Sequence, residues 1–298
     1  MSKRSTPAAV VPTPAAVEAD LPAAAFDAEP VAPPPMTAAD EIEAMSGDPN
    51  FMTSLARGLA VIRGFAQQKR SLTISQLSHR TGIPRAAVRR CLYTLSRLGL
   101  VGSDDGKSYS LRPKILGLGH AYLSSTTLAN SAQPLLDRVS DTLHESSSIA
   151  LLDGDEILYV ARSSSAQRIM SVDLSIGTRL PAYCTSMGRV MLAHLPPAEL
   201  DAHLRRVKLV AHTNRTVIAP ERIRKELATV VAGDYAIVDQ ELELGLRSLA
   251  VPVRDLSGKV VAAMNISTQA SRVSIAELER RFLPELKSAA RELQSMLP

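Results

Sequence analysis

The chain is predicted to be an α+β protein, with an N-terminal winged helix-turn-helix unit, a linker helix, and a larger domain on an antiparallel sheet. Three observations carry this expectation. Helical apolar spacing and a hairpin signal succeed one another between residues 54 and 111. Beyond them, period-two apolar runs joined by tight turns alternate with helical ones. Charge is also unevenly placed: residues 51–114 carry 12 basic and 2 acidic side chains, residues 1–50 carry 2 and 8, and residues 115–298 carry 20 of each. A basic block on a neutral body points to a module that binds a polyanion.

Residues 1–50 hold 9 of the 19 prolines among alanines and scattered acids. Such a segment buries too little to offset its ordering entropy, so an unfolded arm is expected. Leu55, Leu59, Ile62 and Ala66 then recur at helical spacing, predicting a first, amphipathic helix over 54–67. Thr73 suits an N-cap and Gly82 a C-terminal stop, with Ile74 and Leu77 inward. Pro84 opens a third helix to about Leu98, and Asp105-Gly106 turns a hairpin within 100–111. The winged helix-turn-helix therefore occupies 51–112. Helical spacing continues over 113–145, with a linker helix over 113–130 and the second domain over 131–298. Strands are expected at 148–152, 156–163, 169–174, 236–239, 246–253 and 260–267. Helices are expected over 187–195, over 221–231 and from Ser274 onward.

Several functional classes fall on composition. No run approaches the ~18 apolar residues of a membrane span, and no apolar core follows the basic N-terminus, so a cytoplasmic protein without membrane contact is expected. Cys91 and Cys184 stand apart, with no metal-ligand spacing around them, so no disulfide, metal or cofactor is expected. Residues 102–108 (GSDDGKS) resemble a phosphate-binding loop, but the spacing is one residue short and no helix can open at Tyr109.

On a helical wheel the third helix separates into two faces. Val88, Cys91, Leu92 and Leu95 lie on one side, and Ala86, Arg90, Tyr93 and Arg97 opposite, with Arg89 on the flank and Arg85 in the first turn. A major groove admits such a helix, and guanidinium groups pair bidentately with guanine. Arg85, Ala86, Arg89 and Arg90 are therefore candidates for base edges, Tyr93 for the same face, and Lys107 on the wing for backbone phosphate. An arginine-rich face can also be merely solvated; the near absence of acids and the wing that follows favour double-stranded DNA.

With these elements in place, the winged helix-turn-helix, residues 174–193 (LSIGTRLPAYCTSMGRVMLA) and residues 239–253 (DQELELGLRSLAVPV) resemble the IclR-type transcriptional regulators over residues 51–298. The central stretch is similar to the subgroup controlling the β-ketoadipate pathway, whose effectors are protocatechuate, 4-hydroxybenzoate or β-ketoadipate. The resemblance implies a GAF-like effector domain, a homodimer formed through the DNA-binding half or a dimer of dimers, a palindromic operator, and RNA polymerase as a further candidate partner.

The turn at 183–188 (YCTSMG) ends a strand or loop and opens an apolar helix, with Thr185 or Ser186 as N-cap. Its free N–H groups suit a carboxylate, although the same residues can simply cap their helix. The resemblance carries an acid-binding role onto Ser186 and Met187, with Tyr183 as a source of a ring edge or hydroxyl. Ser248, Asn265 and Ser267 interrupt apolar strands; alternation alone allows them to face solvent, and the resemblance implies that they line the pocket. Many relatives have an acid where this chain has Val238, which leaves the adjacent Asp239 as a substitute candidate on the opposite strand face. Leu180 and Met170 are candidates for apolar wall. A small aromatic or dicarboxylic acid is the expected effector, and no catalytic residue is expected. Two rivals stand beside this reading: an enzyme with Cys184 as nucleophile and His194 as base, most of a helix apart, and an architectural DNA-binding protein with no ligand.

Overall fold

The computed structural model describes residues 36–65, 71–164 and 174–298. The chain divides after Arg112 into two compact units. The strand expected over 169–174, Met170 within it, and Ala66 lie outside the described residues, except that Leu174 is buried and not in a strand.

In the first unit, α2 (Thr53–Arg63), α3 (Ile74–Thr81) and α4 (Arg85–Arg97) are preceded by a short helix α1 (Ala38–Glu43). This helix corrects the expectation of an arm through residue 50. Thr37 and Asp40 form a reciprocal capping box, and Ala38, Ala39 and Ile42 pack on the unit's core, a local signal outweighed by the surrounding composition. A second capping box, Thr73 with Gln76, starts α3, and Gly82 ends it at φ 73°. Two further strands, β2 (Val101–Gly102) and β3 (Ser108–Leu111), form the wing, joined at β3 by β1 (Leu72–Thr73) in the order β1-β3-β2. Val61, Leu77, Val88 and Leu92 are fully buried at the centre.

Along α2 the apolar spacing and the burial do not coincide. Ala60 and Val61 are buried, whereas Leu55 and Leu59 are 57% and 47% exposed. Apolar spacing marks a face without saying whether its own chain covers it.

In the second unit a 3₁₀ turn (Pro113–Ile115) and α5 (Leu116–Ser125) lead to α6 (Thr127–Leu143). Leu128 and Ala129 of α6 are buried, so the second unit's packing begins ahead of residue 131. An antiparallel sheet of six strands has the order β6-β5-β4-β9-β8-β7: β4 (Ser146–Asp153), β5 (Glu156–Ser163), β6 (Arg179–Pro181), β7 (Ala236–Asp239), β8 (Leu246–Arg254) and β9 (Val260–Gln269). Three helices, α7 (Ser186–Ala193), α8 (Pro197–Arg206) and α9 (Pro220–Gly233), lie between β6 and β7 in sequence. The chain closes with α10 (Ile275–Glu277), a π turn (Leu278–Phe282) and α11 (Leu283–Gln294).

Alternation splits the sheet between two cores. Ile149, Leu249, Val251, Ala262 and Met264 pack with α6 and α11, while Ala150, Ala250 and Ala263 pack with α7 and α9. Odd-numbered Asn265 and Ser267 follow Ala263, and Ser248 precedes Ala250 by two. All three therefore face α7.

Candidate nucleic-acid interface and ligand cavity

The buried stripe of α4, with Val88 and Leu92 fully buried and Leu95 nearly so, leaves the opposite face free. Arg85, Ala86, Arg89, Arg90 and Tyr93 are all exposed there, Tyr93 at 68%. Cys91 is half-buried at the edge of the stripe, and burial pushes its thiol up. The six DNA candidates are thus all solvent-facing: five lie on one helix and Lys107 lies on the wing.

The wing tip is held by its own backbone. Asp105 accepts the N–H groups of Lys107 at 2.8 Å and Ser108 at 2.7 Å, which pull its carboxyl down to about 2. Gly106 adopts φ 69° in the turn. Arg112 pairs with Asp104 at 2.6 Å, so the wing's neighbouring guanidinium is engaged within the hairpin.

In the second unit, Thr185 caps α7: its hydroxyl accepts the N–H of Gly188 at 3.3 Å and donates to the carbonyl of Pro181 at 3.0 Å. The N–H groups of Ser186 and Met187, at the first two positions of α7, have no partner among the described residues. Gly188 permits this close turn, because a Cβ there would lie 2.1 Å from the carbonyl oxygen of Ala182.

The first turn of α7 faces a row of the sheet. Val238 pairs with Ser248, Ser248 with Ser267, and Ala250 with Asn265. Ser186, Met187, Ser248, Asn265 and Ser267 accordingly line one cavity with Tyr159, Leu180, Cys184, Thr185, Val238, Glu241, Leu242 and Leu246. Its volume is about 20 Å³, room for about one water. Asn265 is 3% exposed; its amide donates to Ser267 Oγ at 3.2 Å, and its Oδ1 is buried without a partner. The Tyr159 hydroxyl, which burial pushes up to about 12, makes no hydrogen bond among the described residues.

Two predicted site residues do not join this cavity. Tyr183 is buried against the 209–212 segment, where its hydroxyl donates to the Val210 carbonyl at 2.7 Å and accepts the Val210 N–H at 3.0 Å. Asp239 lies on the opposite strand face, paired with Arg247 at 2.8 Å and Arg215 at 2.9 Å; those cations hold its carboxyl below the usual range against the opposing effect of burial. Val238 occupies the cavity wall, and a period-two strand cannot turn both neighbours inward.

Sequence reading missed Tyr159, Cys184, Thr185, Glu241, Leu242 and Leu246 as lining residues. It also missed Arg189, 3% exposed, which donates to Glu241 at 2.7 Å and to the Tyr183 carbonyl at 3.0 Å and pairs with Glu226 at 2.5 Å. Glu241 also accepts the Val217 N–H at 2.9 Å, and burial pushes its carboxyl up despite Arg189. A charged pair inside a helix-sheet interface is invisible to apolar periodicity.

The arrangement is unsuited to the Cys–His chemistry considered above. Burial pushes Cys184 up to about 12, the reverse of an activated thiolate. His194 ends α7, with Nδ1 2.8 Å from the Val190 carbonyl and Nε2 facing Arg254 and Asp234.

Comparison with known proteins agrees with both units. Residues 54–105 match the IclR helix-turn-helix domain, and residues 120–295 match the bacterial transcriptional regulator IclR C-terminal domain. The chain is 58% identical over 272 residues to the Pca regulon regulatory protein of Pseudomonas putida, covering 91% of this chain and 92% of that one. It is 33% identical over 252 residues to the p-hydroxybenzoate hydroxylase transcriptional activator of Acinetobacter baylyi, covering 83% and 93%. The crystal structure of an IclR homolog complexed with 4-hydroxybenzoate, from Microbacterium hydrocarbonoxydans, superposes with a TM-score of 0.70 at 25% identity, covering 82% and 98%. This chain belongs to the IclR family of bacterial transcriptional regulators.

Proposed function

We propose that the protein regulates genes of aromatic-acid catabolism by binding a palindromic operator as a homodimer or dimer of dimers, under control of a small aromatic or dicarboxylic acid. Arg85, Ala86, Arg89, Arg90 and Tyr93 meet base edges, and Lys107 meets phosphate. The names of the relatives, a Pca regulon regulator and a hydroxybenzoate-linked activator, support the pathway. Exposed Leu55 and Leu59 on α2 supply apolar surface for a second copy. The protein acts in the cytoplasm, where its dimer meets the operator and RNA polymerase.

The observation that carries the effector reading is the buried, unpartnered Oδ1 of Asn265 beside the open N–H groups of Ser186 and Met187. An unmet buried acceptor is costly, and a ligand donor removes that cost. The effector carboxylate sits on the α7 turn, and its other polar groups meet Asn265, Ser248 and Ser267. A cavity of about 20 Å³ admits such a molecule only as its side chains move apart, so binding selects an opened arrangement.

Calorimetric titration of protocatechuate, 4-hydroxybenzoate, β-ketoadipate and cis,cis-muconate into the full chain tests this. At least one acid binds, and Ser186→Pro, which removes an N–H from the turn, weakens it while DNA affinity stays intact. Silence from all four acids, with DNA binding retained, would instead favour a ligand-free architectural protein.

A further inference from the structure

We propose that α1 is a strut that sets the helix-turn-helix turn and so determines how faithfully α4 reads its operator; the inference rests on the DNA-binding role assigned above. The matched helix-turn-helix segment begins at residue 54, so α1 lies ahead of it. A helix of six residues is not stable by itself and owes its form to what it touches. It packs on α2 and the unit's core, and its start also reaches the turn between α3 and α4. A Cβ on Gly82 would lie 2.6 Å from Thr37 Oγ1 and 3.0 Å from Ala39 Cβ. Gly82 is therefore constrained twice, by its left-handed φ of 73° and by α1 pressed against it.

The turn is fixed from the inner side as well. Ser78 Oγ donates to the Ile83 carbonyl at 2.7 Å, Thr81 Oγ1 donates to the Leu77 carbonyl at 2.8 Å and accepts the Ile83 N–H at 3.3 Å, and Ile83 is 1% exposed. Between these bonds and α1, the peptide that aims α4 is held on two sides. Arg85 begins α4 three residues after Gly82, and Arg90 stands about 8 Å further along the axis. A tilt of about 10° at the turn displaces Arg90 by more than about 1 Å, enough to break bidentate pairing with a base. Contacts to phosphate, made by flexible side chains and long-range charge, tolerate such a shift. Loss of α1 therefore lowers discrimination more than general DNA affinity.

The experiment uses the duplex that the full-length chain selects most tightly from a random-sequence pool, and a scrambled duplex of the same composition. Affinities are measured for the full chain, for chains lacking residues 1–35 or 1–46, and for Ala39→Leu, which crowds the contact with Gly82 while keeping α1. Deleting the acidic arm raises affinity for any DNA, so the quantity read is the ratio of selected to scrambled affinity. Removing residues 1–35 leaves the ratio within about twofold, whereas removing 1–46 lowers it about tenfold and Ala39→Leu lowers it severalfold, with acid binding unchanged. An unchanged ratio in the 1–46 deletion and in Ala39→Leu overturns the proposal. So does a parallel fall in both affinities with a lower melting temperature, which marks general support only. Failure to select any duplex overturns the DNA-binding reading along with it.

Discussion

A single residue step decides which side chain serves the cavity. Val238 and Asp239 are neighbours on β7, yet Val238 lines the cavity and Asp239 pairs with Arg247 and Arg215 on the other face. The same rule gathers Ser248, Asn265 and Ser267, whose spacing in the sequence offered two faces with equal weight. In the proposed function, the guanidinium groups of α4 carry specificity and the wing ammonium carries general affinity. Arg89→Ala or Arg90→Ala should therefore cost about 1–3 kcal/mol on the cognate duplex, and less on a scrambled one, by fluorescence anisotropy. Lys107→Ala should weaken both duplexes alike and reduce the slope of log affinity against log salt by about 0.9. An unchanged slope would remove Lys107 from the phosphate contacts. Cys184, with its thiol pushed up to about 12, should resist iodoacetamide at pH 8 in the folded protein and react once guanidinium unfolds it.

At the scale of elements, α7 shows how tightly a helix start can be specified. A methyl group at Gly188 would meet Ala182 Cα at 2.4 Å as well as its carbonyl oxygen, and backbone cannot swing aside as a side chain can. Gly188→Ala should destabilise the second unit by about 3 kcal/mol or more and abolish acid binding, read by thermal melting and calorimetry of the full chain. Normal effector affinity in that variant would show that the turn can relax. Capping chemistry made α3 and α4 legible within a residue or so: Thr73, Gln76 and Gly82 each act locally. The three-residue β6 and two-residue β1 were not legible, because segments so short have no measurable period and form only where a neighbour supplies hydrogen bonds. Helix α8 was missed between polar loops despite its opening Pro196-Pro197, and α1 was masked by the prolines and alanines around it.

For the whole molecule, the proposed acid in one unit and DNA on the other would be coupled only through the difference in affinity between two arrangements. Linkage makes this reciprocal: if the effector changes operator affinity by some factor, saturating operator must change effector affinity by the same factor. Calorimetry of the acid with and without excess operator duplex checks the equality, and unequal factors would mean that a third state or an altered oligomer intervenes.

The sequence by itself determined the family, the order of the domains, the basic face of α4 and the turn that opens α7, because these rest on local signals: caps, breakers, charge and period. Only the tertiary structure decided that Leu55 and Leu59 stay exposed within their own unit, that Arg189 and Glu241 are buried together, and that Asn265 Oδ1 is left without a donor. Each of these depends on what packs against a side chain from a distant part of the chain, and one-dimensional spacing holds no record of that partner.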